Sequence, residues 1–401
     1  MKKPVIGNVR LDGFALLAPM AGVSDLAYRV IARRYGAAMT TAEMVSAKGL
    51  YYKSDKTRDL MKIDPEEHPV ALQLFGSDPE IMALGAKEME KAGADIIDIN
   101  MGCPMQKVVR NGDGSALMKN IPLAESVIRA MVQAVSVPVT VKMRLGWSKE
   151  TENCVELACA AEEAGAAAVT VHGRTREDFY TGKADWKKIS EVVQAVKIPV
   201  TAKTRLGWDC ENIIIDDVAE RLQDVGISAL AIHGRTRSQM YKGEADWEPI
   251  ARVKQNPRIK IPIIGNGDID SPQKVKEAFE RYGVDGVMIG RATIGKPWIF
   301  EQIKHYLTTG EMLPELSIPA QIEIIKEQIL LSMEWLDEVR GLFHMRRHMA
   351  CMFKGLPHFR DLRIQMLQAP NIEELWGVFD QIAERYGSMD PEDLVEEDLN
   401  S

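Results

Sequence analysis

The stretch HGRTR occurs at 172–176 and again at 233–237, inside two longer blocks that echo each other. VPVTVKMRLGW, from Val137, is answered by IPVTAKTRLGW, from Ile198, and FYTGKADW, ending at Trp186, returns as MYKGEADW, ending at Trp247. The offset is 61 residues throughout, and 138–197 shares 25 identities in 60 positions with 199–258, so the copies have diverged. Each copy contains two short β-branched runs, each followed by a longer helical pattern. A chain that repeats strand and helix in this way is confined to folds that lay parallel strands side by side with helices outside them.

The alternation extends in both directions. Candidate strands are FALLA (14–18), TTAEM (40–44), VALQLF (70–75), IIDIN (96–100), VTVKM (139–143), AVTVH (168–172), VTAKT (200–204), ALAIH (229–233), IPIIG (261–265) and GVMIG (286–290). Between them lie amphipathic stretches such as DPEIMALGAKEMEKAG, which keeps helical spacing up to Gly93. The strands read as apolar on both faces, which predicts an α/β fold: a TIM-type (β/α) barrel over residues 1–310. Such barrels have eight strands, whereas ten are counted here. Removing either copy restores eight. Two outcomes are open: all ten strands close into one distorted wall, or one copy stands outside an eight-stranded barrel.

After residue 308 the pattern changes. LPELSIP is a proline-punctuated linker, and the chain then reads as helices only up to Tyr386, with Pro357 and Pro370 near the breaks. A small helical bundle is expected over 318–388, followed by an acidic tail, 389–401. No run of about 18 apolar residues exists and the N-terminus lacks a signal-peptide core, so a soluble, cytoplasmic protein with no membrane partner is expected. The five cysteines form no CxxC pair or His/Cys cluster of zinc spacing, so neither structural disulfides nor a metal is expected. The net charge of −8 argues against wholesale coating of nucleic acid and directs attention to local charge.

In this fold chemistry sits at the C-terminal ends of the strands. APMAG (18–22), Gln73, NMGCP (100–104), the KxR and HGR ends of the repeated strands, IGNGD (264–268) and IGRA (289–292) all fall there. The glycines of the last two motifs let backbone amides approach a ligand, and loops after the final strands commonly grip phosphate, so a phosphorylated cofactor is expected with Arg291 adding charge. Singly, each would be plain turn geometry. Lys142 with His172, or their counterparts Lys203 with His233, would point inward and supply the donors that a flavin ring needs where charge collects on reduction. Gln73 suits the ring's polar edge. Cys103 follows a strand directly, with Gly102 and Pro104 fixing the turn, and its thiol can act as nucleophile or general acid. Cys154, Cys159 and Cys351 read as small buried hydrophobes.

Together these motifs resemble the tRNA-dihydrouridine synthases, flavoenzymes that reduce a uridine in tRNA to dihydrouridine. APMAGVSD, VALQLFGSDP, DINMGCP, VTVKMRLGW, VTVHGRTR, IIGNGDI, VMIGRATIGKPWIF and RRH…FKGLPHF occur in the family's order over nearly the whole chain. The resemblance implies an FMN-containing barrel with a helical tRNA-binding domain, NADPH as reductant, hydride passing from the flavin to uracil C6, and protonation of C5 by a cysteine, here Cys103. It implies flavin contacts at Pro19, Met20, Gln73, Lys142, His172, Asn266, Gly267, Asp268, Gly290 and Arg291. Asn100 matches a position near the uracil, and Arg144 or Arg176 one that meets RNA or flavin phosphate. A stacked base must be extruded to reach such a site, at roughly a few kcal/mol that backbone contacts must supply. Residues 340–363 offer Arg340, Arg346, Arg347, Lys354, Arg360 and Arg363 against one acid, Asp361, which fits phosphate contact.

The departure is the duplication: the family has one Lys strand and one His strand between the cysteine and GNGD, and this chain has two of each. One flavin ring uses one pair. Lys142 and His172 are taken as that pair, with Lys203 and His233 as the alternative. Two rival readings remain, an FMN barrel acting on a free pyrimidine and a non-catalytic tRNA-binding protein whose extra units have spoiled the flavin pocket.

Overall fold

The computed structural model describes residues 5–11, 13–20, 22–179, 181, 184–353 and 355–389. A hairpin of β1 (Val5–Ile6) and β2 (Val9–Arg10) precedes ten parallel strands. These are β3 (Ala15–Leu17), β4 (Thr40–Ser46), β5 (Val70–Phe75), β6 (Ile96–Met101), β7 (Val139–Arg144), β8 (Ala168–His172), β9 (Val200–Arg205), β10 (Ala229–His233), β11 (Ile263–Asn266) and β12 (Gly286–Ile289). They pair in the order β3-β12-β11-β10-β9-β8-β7-β6-β5-β4. The two ends of that sheet meet where Ala38 N–H donates to Ala15 O at 2.8 Å and Leu17 N–H to Met39 O at 3.3 Å. The result is a near-closed barrel of ten strands, and both copies of the repeat stand in its wall.

The junction between the copies shows why neither is displaced. β8, which ends the first copy, pairs with β9, which begins the second, through Val169↔Val200, Thr170↔Thr201 and Val171↔Ala202. Val200 and Ala202 bury their side chains against the helices as Val139 and Val141 do on β7, with 0–3% exposure at all four. The second copy therefore continues the same apolar layer, and ejecting it would strip that layer of cover and expose two ladder edges. Local structure is also preserved, since Gly146↔Glu152 and Gly207↔Ile213 are equivalent isolated bridges in the two copies.

One sequence expectation is corrected. The strands are not apolar on both faces. The helix-facing set is buried, while Thr140, Lys142, Thr170, His172, Thr201 and Lys203 alternate with it and remain partly exposed or exposed. A barrel's diameter grows with strand number, so ten strands leave the axis too wide for side chains to fill, and polar residues there keep access to solvent.

Most helices outside the wall follow local rules. Pro79–Ala92 is capped by the Asp78 carboxylate, which accepts from Ile81 N–H, and stops at Gly93, whose φ is +106°. Past the wall lie helices Ile318–Trp335, Glu338–Met349, Arg360–Gln368 and Ile372–Tyr386, with a hydrophobic cluster of their own that includes Ile325, Met345, Phe379 and Tyr386. This helical region docks on the first helix of the barrel, Leu26–Arg34, through Ile31, Trp298 and Ile324. Polar ties reinforce the joint: Arg340 to Asp59 at 3.0 Å, Lys62 Nζ to Trp335 O at 2.7 Å, Arg34 to Glu327, and the buried pair His348 Nε2 and Asp25 Oδ2 at 3.1 Å. No helix among the described residues is long and apolar enough to cross a membrane.

Burial alone would raise the Asp25 pKa, but the bond and charge of His348, the Tyr28 amide and Arg29 outweigh it and hold the carboxyl below 3.8. A depressed acid stabilises the native state fully above its unfolded value, and that contribution disappears as pH falls through the folded one. Acid unfolding of the wild type should therefore steepen below about pH 4. Asp25→Asn should flatten that limb while lowering stability at neutral pH, as read by denaturant titrations across pH.

Candidate functional site

Cys103 stands in the turn after β6, half-buried and with a free thiol. The turn is held from three sides. The Asn100 side-chain oxygen accepts from Gly102 N–H at 3.1 Å and Cys103 N–H at 2.9 Å. Arg144 Nε donates to Gly102 O at 2.7 Å, and Ser115 Oγ to Cys103 O at 2.9 Å. Behind Asn100 runs a chain of hydrogen bonds: Asn100 Nδ2 donates to Gln73 Oε1 at 2.8 Å, Gln73 Nε2 to Asp98 Oδ2 at 2.6 Å, and Thr140 Oγ1 to Asp98 Oδ1 at 2.7 Å. Burial pushes the Asp98 carboxyl above its usual range against the bonds from Thr140 and Gln73 and the charge of Lys142. Sequence reasoning missed Asp98. Its signal was the alternation of IIDIN, which puts Asp98 and Asn100 on one face of β6.

Both repeated pairs face one cavity of about 680 Å³, which Lys142, His172, Lys203, His233 and Asn266 all help to line. Desolvation and the nearby cations Arg144, Arg174 and Lys142 push the His172 pKa down to about 3. Desolvation, with Arg205, Lys203 and Arg235, does the same at His233, where Asp268 opposes it. Both imidazoles are therefore neutral at pH 7. Lys203 is accessible from the cavity yet hemmed in by protein, and this desolvation, with Arg205 and Lys142, lowers its pKa to about 8. Its Nζ lies 3.2 Å from Asn266 Oδ1.

The ends of β11 and β12 come together as expected. Asn266 Nδ2 donates to Met288 O at 2.6 Å. Gly267 has φ +127°, and a Cβ there would lie 2.7 Å from Ala245 and 3.3 Å from the His233 ring, so only glycine fits. Asp268 accepts from Arg235 Nη2 at 2.5 Å and Ala245 N–H at 2.8 Å. Burial works against its charge, but these bonds and Arg291 keep its pKa low. Gly290 lies beside the Met20 sulfur, which joins the APMAG loop to this end, and Pro19 is exposed next to it. The exposed Arg291 guanidinium lies over the Tyr241 ring at 4.7 Å.

The expected RNA-facing arginines are divided. Arg144, 3% exposed, spends its guanidinium on the carbonyls of Gly102, Thr175 and Phe179 and so positions the Cys103 turn. Arg176 stacks on Trp147 at 4.6 Å and reaches Gln106 near that turn. Arg340 binds Asp59 and Asp337, tying the helical region down. Arg347 lies close to Gly22 of the APMAG loop, Arg346 donates to Ala369 O and Arg363 to Ala350 O, and Arg360 is exposed. Lys354 and the tail from residue 390 lie outside the described residues.

A family model described as "Dihydrouridine synthase (Dus)" matches this chain twice, over residues 16–198 and 188–381. The chain belongs to the dihydrouridine synthase family. The two matches overlap at the junction of the copies, so each takes in one copy of the block. The chain is 36% identical over 387 residues to a probable tRNA-dihydrouridine synthase of Rickettsia bellii (96% of this chain, 98% of that one). It is 37% identical over 343 residues to tRNA-dihydrouridine synthase B of Shewanella oneidensis (86% and 87%) and 36% over 360 residues to that of Pseudomonas aeruginosa (90% and 90%). Within this dihydrouridine synthase fold the cysteine turn has one further requirement. Gly114 has φ +61°, and a Cβ there would sit 2.9 Å from Cys103 O. Gly114→Ala should cost about 1–3 kcal/mol, measured by denaturant titration, and should alter the rate at which Cys103 reacts with a thiol reagent.

Proposed function

We propose that the protein reduces a uridine in tRNA to 5,6-dihydrouridine, with FMN as cofactor and NADPH as reductant, in the cytoplasm. Residues 1–310 form the catalytic barrel and 318–388 the tRNA-binding region. The observation that carries the reading is the placing of a free cysteine on a turn held by Asn100, beside a strand whose Lys142 lines the Lys/His cavity.

The residues present fit FMN. A 680 Å³ cavity with two lysines and two neutral imidazoles offers donors to the ring's electron-accepting side, and the glycine turns at Gly267 and Gly290, with Arg291 at the same end, suit a phosphate. Of the two pairs, Lys203 and His233 are joined to the β11 loop through Asn266 and Gly267. We therefore assign the flavin ring to them rather than to Lys142 and His172, which border the cysteine side. FMN would supply hydride to uracil C6. The Cys103 thiol then delivers the proton to C5, Arg144 and Asn100 hold its turn, and Arg346, Arg347, Arg360 and Arg363 offer charge to the RNA backbone.

Cys103→Ser should lower single-turnover reduction of tRNA by about 100-fold or more, the range of general acid catalysis, with flavin content unchanged. Lys203→Met should empty the protein of FMN while Lys142→Met keeps one per chain, as counted from the absorbance of released flavin. The reverse result would return the ring to the first pair, and a protein that never takes up FMN would undo the assignment.

A further inference from the structure

Three neighbouring strands carry a row of polar side chains at one level of the wall. Gln73 on β5 stands opposite Asp98 on β6, and Asp98 opposite Thr140 on β7. Asn100 lies two residues further along β6, on the same face as Asp98 and next to the Cys103 turn. The hydrogen bonds through this row all run one way. Gly102 and Cys103 N–H donate to Asn100 Oδ1, Asn100 Nδ2 donates to Gln73 Oε1, and Gln73 Nε2 donates to Asp98 Oδ2 at 2.6 Å, where the chain ends. A further bond from Asn100 Nδ2 reaches the Met44 sulfur at 3.8 Å. None of the side-chain nitrogens and oxygens in the row is buried without a partner.

That direction is forced. Backbone amides can only donate, so Asn100 must turn its oxygen to the Cys103 turn and its NH2 group to Gln73. Gln73 must then meet Asn100 with its own oxygen, which leaves its NH2 group facing residue 98. Of the four ways to orient two side-chain amides, one satisfies the row, and it needs an acceptor at Asp98 Oδ2. A carboxylate supplies it. A neutral carboxyl with its hydrogen on Oδ1 supplies it too, because the Thr140 hydroxyl, which donates to Oδ1 at 2.7 Å, can rotate and accept instead. Burial favours that neutral form and raises the Asp98 pKa, against the bonds from Thr140 and Gln73 and the charge of Lys142. The row therefore holds in either protonation state and fails only where Oδ2 is replaced by a donor or by nothing. The second copy does not reproduce it, for Thr201, the counterpart of Thr140, meets the Thr170 hydroxyl at 2.9 Å.

We propose that Asp98 is a positioning residue for Cys103: its acceptor oxygen fixes Gln73, Gln73 fixes the Asn100 amide, and Asn100 holds the two N–H groups that aim the thiol. The proposal rests on the reading of Cys103 as the acid that protonates uracil C5. Asp98 itself gives and takes no proton in that step.

The experiment uses the full-length, flavin-loaded protein and three readouts. They are deuterium uptake at the Gly102 and Cys103 amides, alkylation of Cys103 by iodoacetamide relative to the exposed Cys210, and single-turnover reduction of tRNA per bound flavin. Asp98→Ala should speed uptake and slow turnover by about tenfold each, the equivalent of one lost hydrogen bond, and should shift the alkylation ratio while tRNA binding is kept. Asp98→Asn, whose oxygen can face Gln73 and whose NH2 can face Thr140, should change each by about threefold or less. Thr140→Val should also be mild alone, but combined with Asp98→Asn it should match Asp98→Ala, because the new NH2 group then has no acceptor. Val169→Ala, on β8 and fully buried, controls for general loss of stability and should leave the alkylation ratio as it is.

Asp98→Ala with wild-type uptake and alkylation would overturn the proposal. So would Asp98→Asn as impaired as Asp98→Ala, since charge and not an acceptor would then be what matters, or additive effects of Asp98→Asn and Thr140→Val. Should Asp98→Ala not fold, that pair decides alone. A normal turnover rate in Asp98→Ala beside a crippled Cys103→Ser would also overturn the positioning role. If Cys103→Ser itself reduces tRNA normally, the reading of Cys103 as the acid falls, and uptake and alkylation still decide whether Asp98 holds the turn.

Discussion

The parallel ladder between β8 and β9 is the contact on which the rest of the molecule depends. It joins the end of one copy of the repeat to the start of the next, and without it the chain would hold either an eight-stranded barrel with a loose excrescence or an open sheet with exposed edges. Three register pairs there carry the wall across the duplication. Because the helix-facing residues of both copies are apolar and of similar size, the surrounding helices pack over the seam as they do elsewhere. Barrel closure through Ala15, Leu17, Ala38 and Met39 then follows at the far side.

A wider ring has a chemical consequence. Inward side chains of ten strands do not meet at the axis, so the lysines and histidines of both copies share one cavity. The two pairs are not equivalent, for their neighbours differ. On one flank β6 brings the Asp98, Gln73 and Asn100 chain and the Cys103 turn; on the other β11 brings Asn266, Gly267 and Asp268. Each unique neighbour employs one arginine of a duplicated set, Arg144 on the first flank and Arg235 on the second. The counterpart arginines keep equivalent bonds to the loop carbonyls of their own copy, so the flanks differ by these added contacts.

The helical region depends on the barrel in a similar way. Its basic stretch contributes to docking as well as to charge: Arg340 is committed to Asp59 and Asp337, and His348 is buried against Asp25, whereas Arg360 remains on the surface. A count of positive residues over 340–363 could not separate these roles. Local composition records charge, and only the facing surface records whether that charge is already neutralised.

By itself the sequence determined the ten strands, the alternation with helices, the glycine turns at strand ends and the position of Cys103. All are local, fixed by β-branched runs, capping residues and turn chemistry within a few residues of each site. The inward set was misread because Thr, Ala and a single Lys or His within a short strand resemble a doubly buried pattern. Only tertiary structure decided that both copies enter the wall, that Asp98 backs Asn100 and Gln73, and that Arg174 and Arg205 face a cavity while Arg144 and Arg235 do not. Those outcomes turn on which strand lies next to which, and the partners concerned, one strand away in space, are 31 to 42 residues away in the chain.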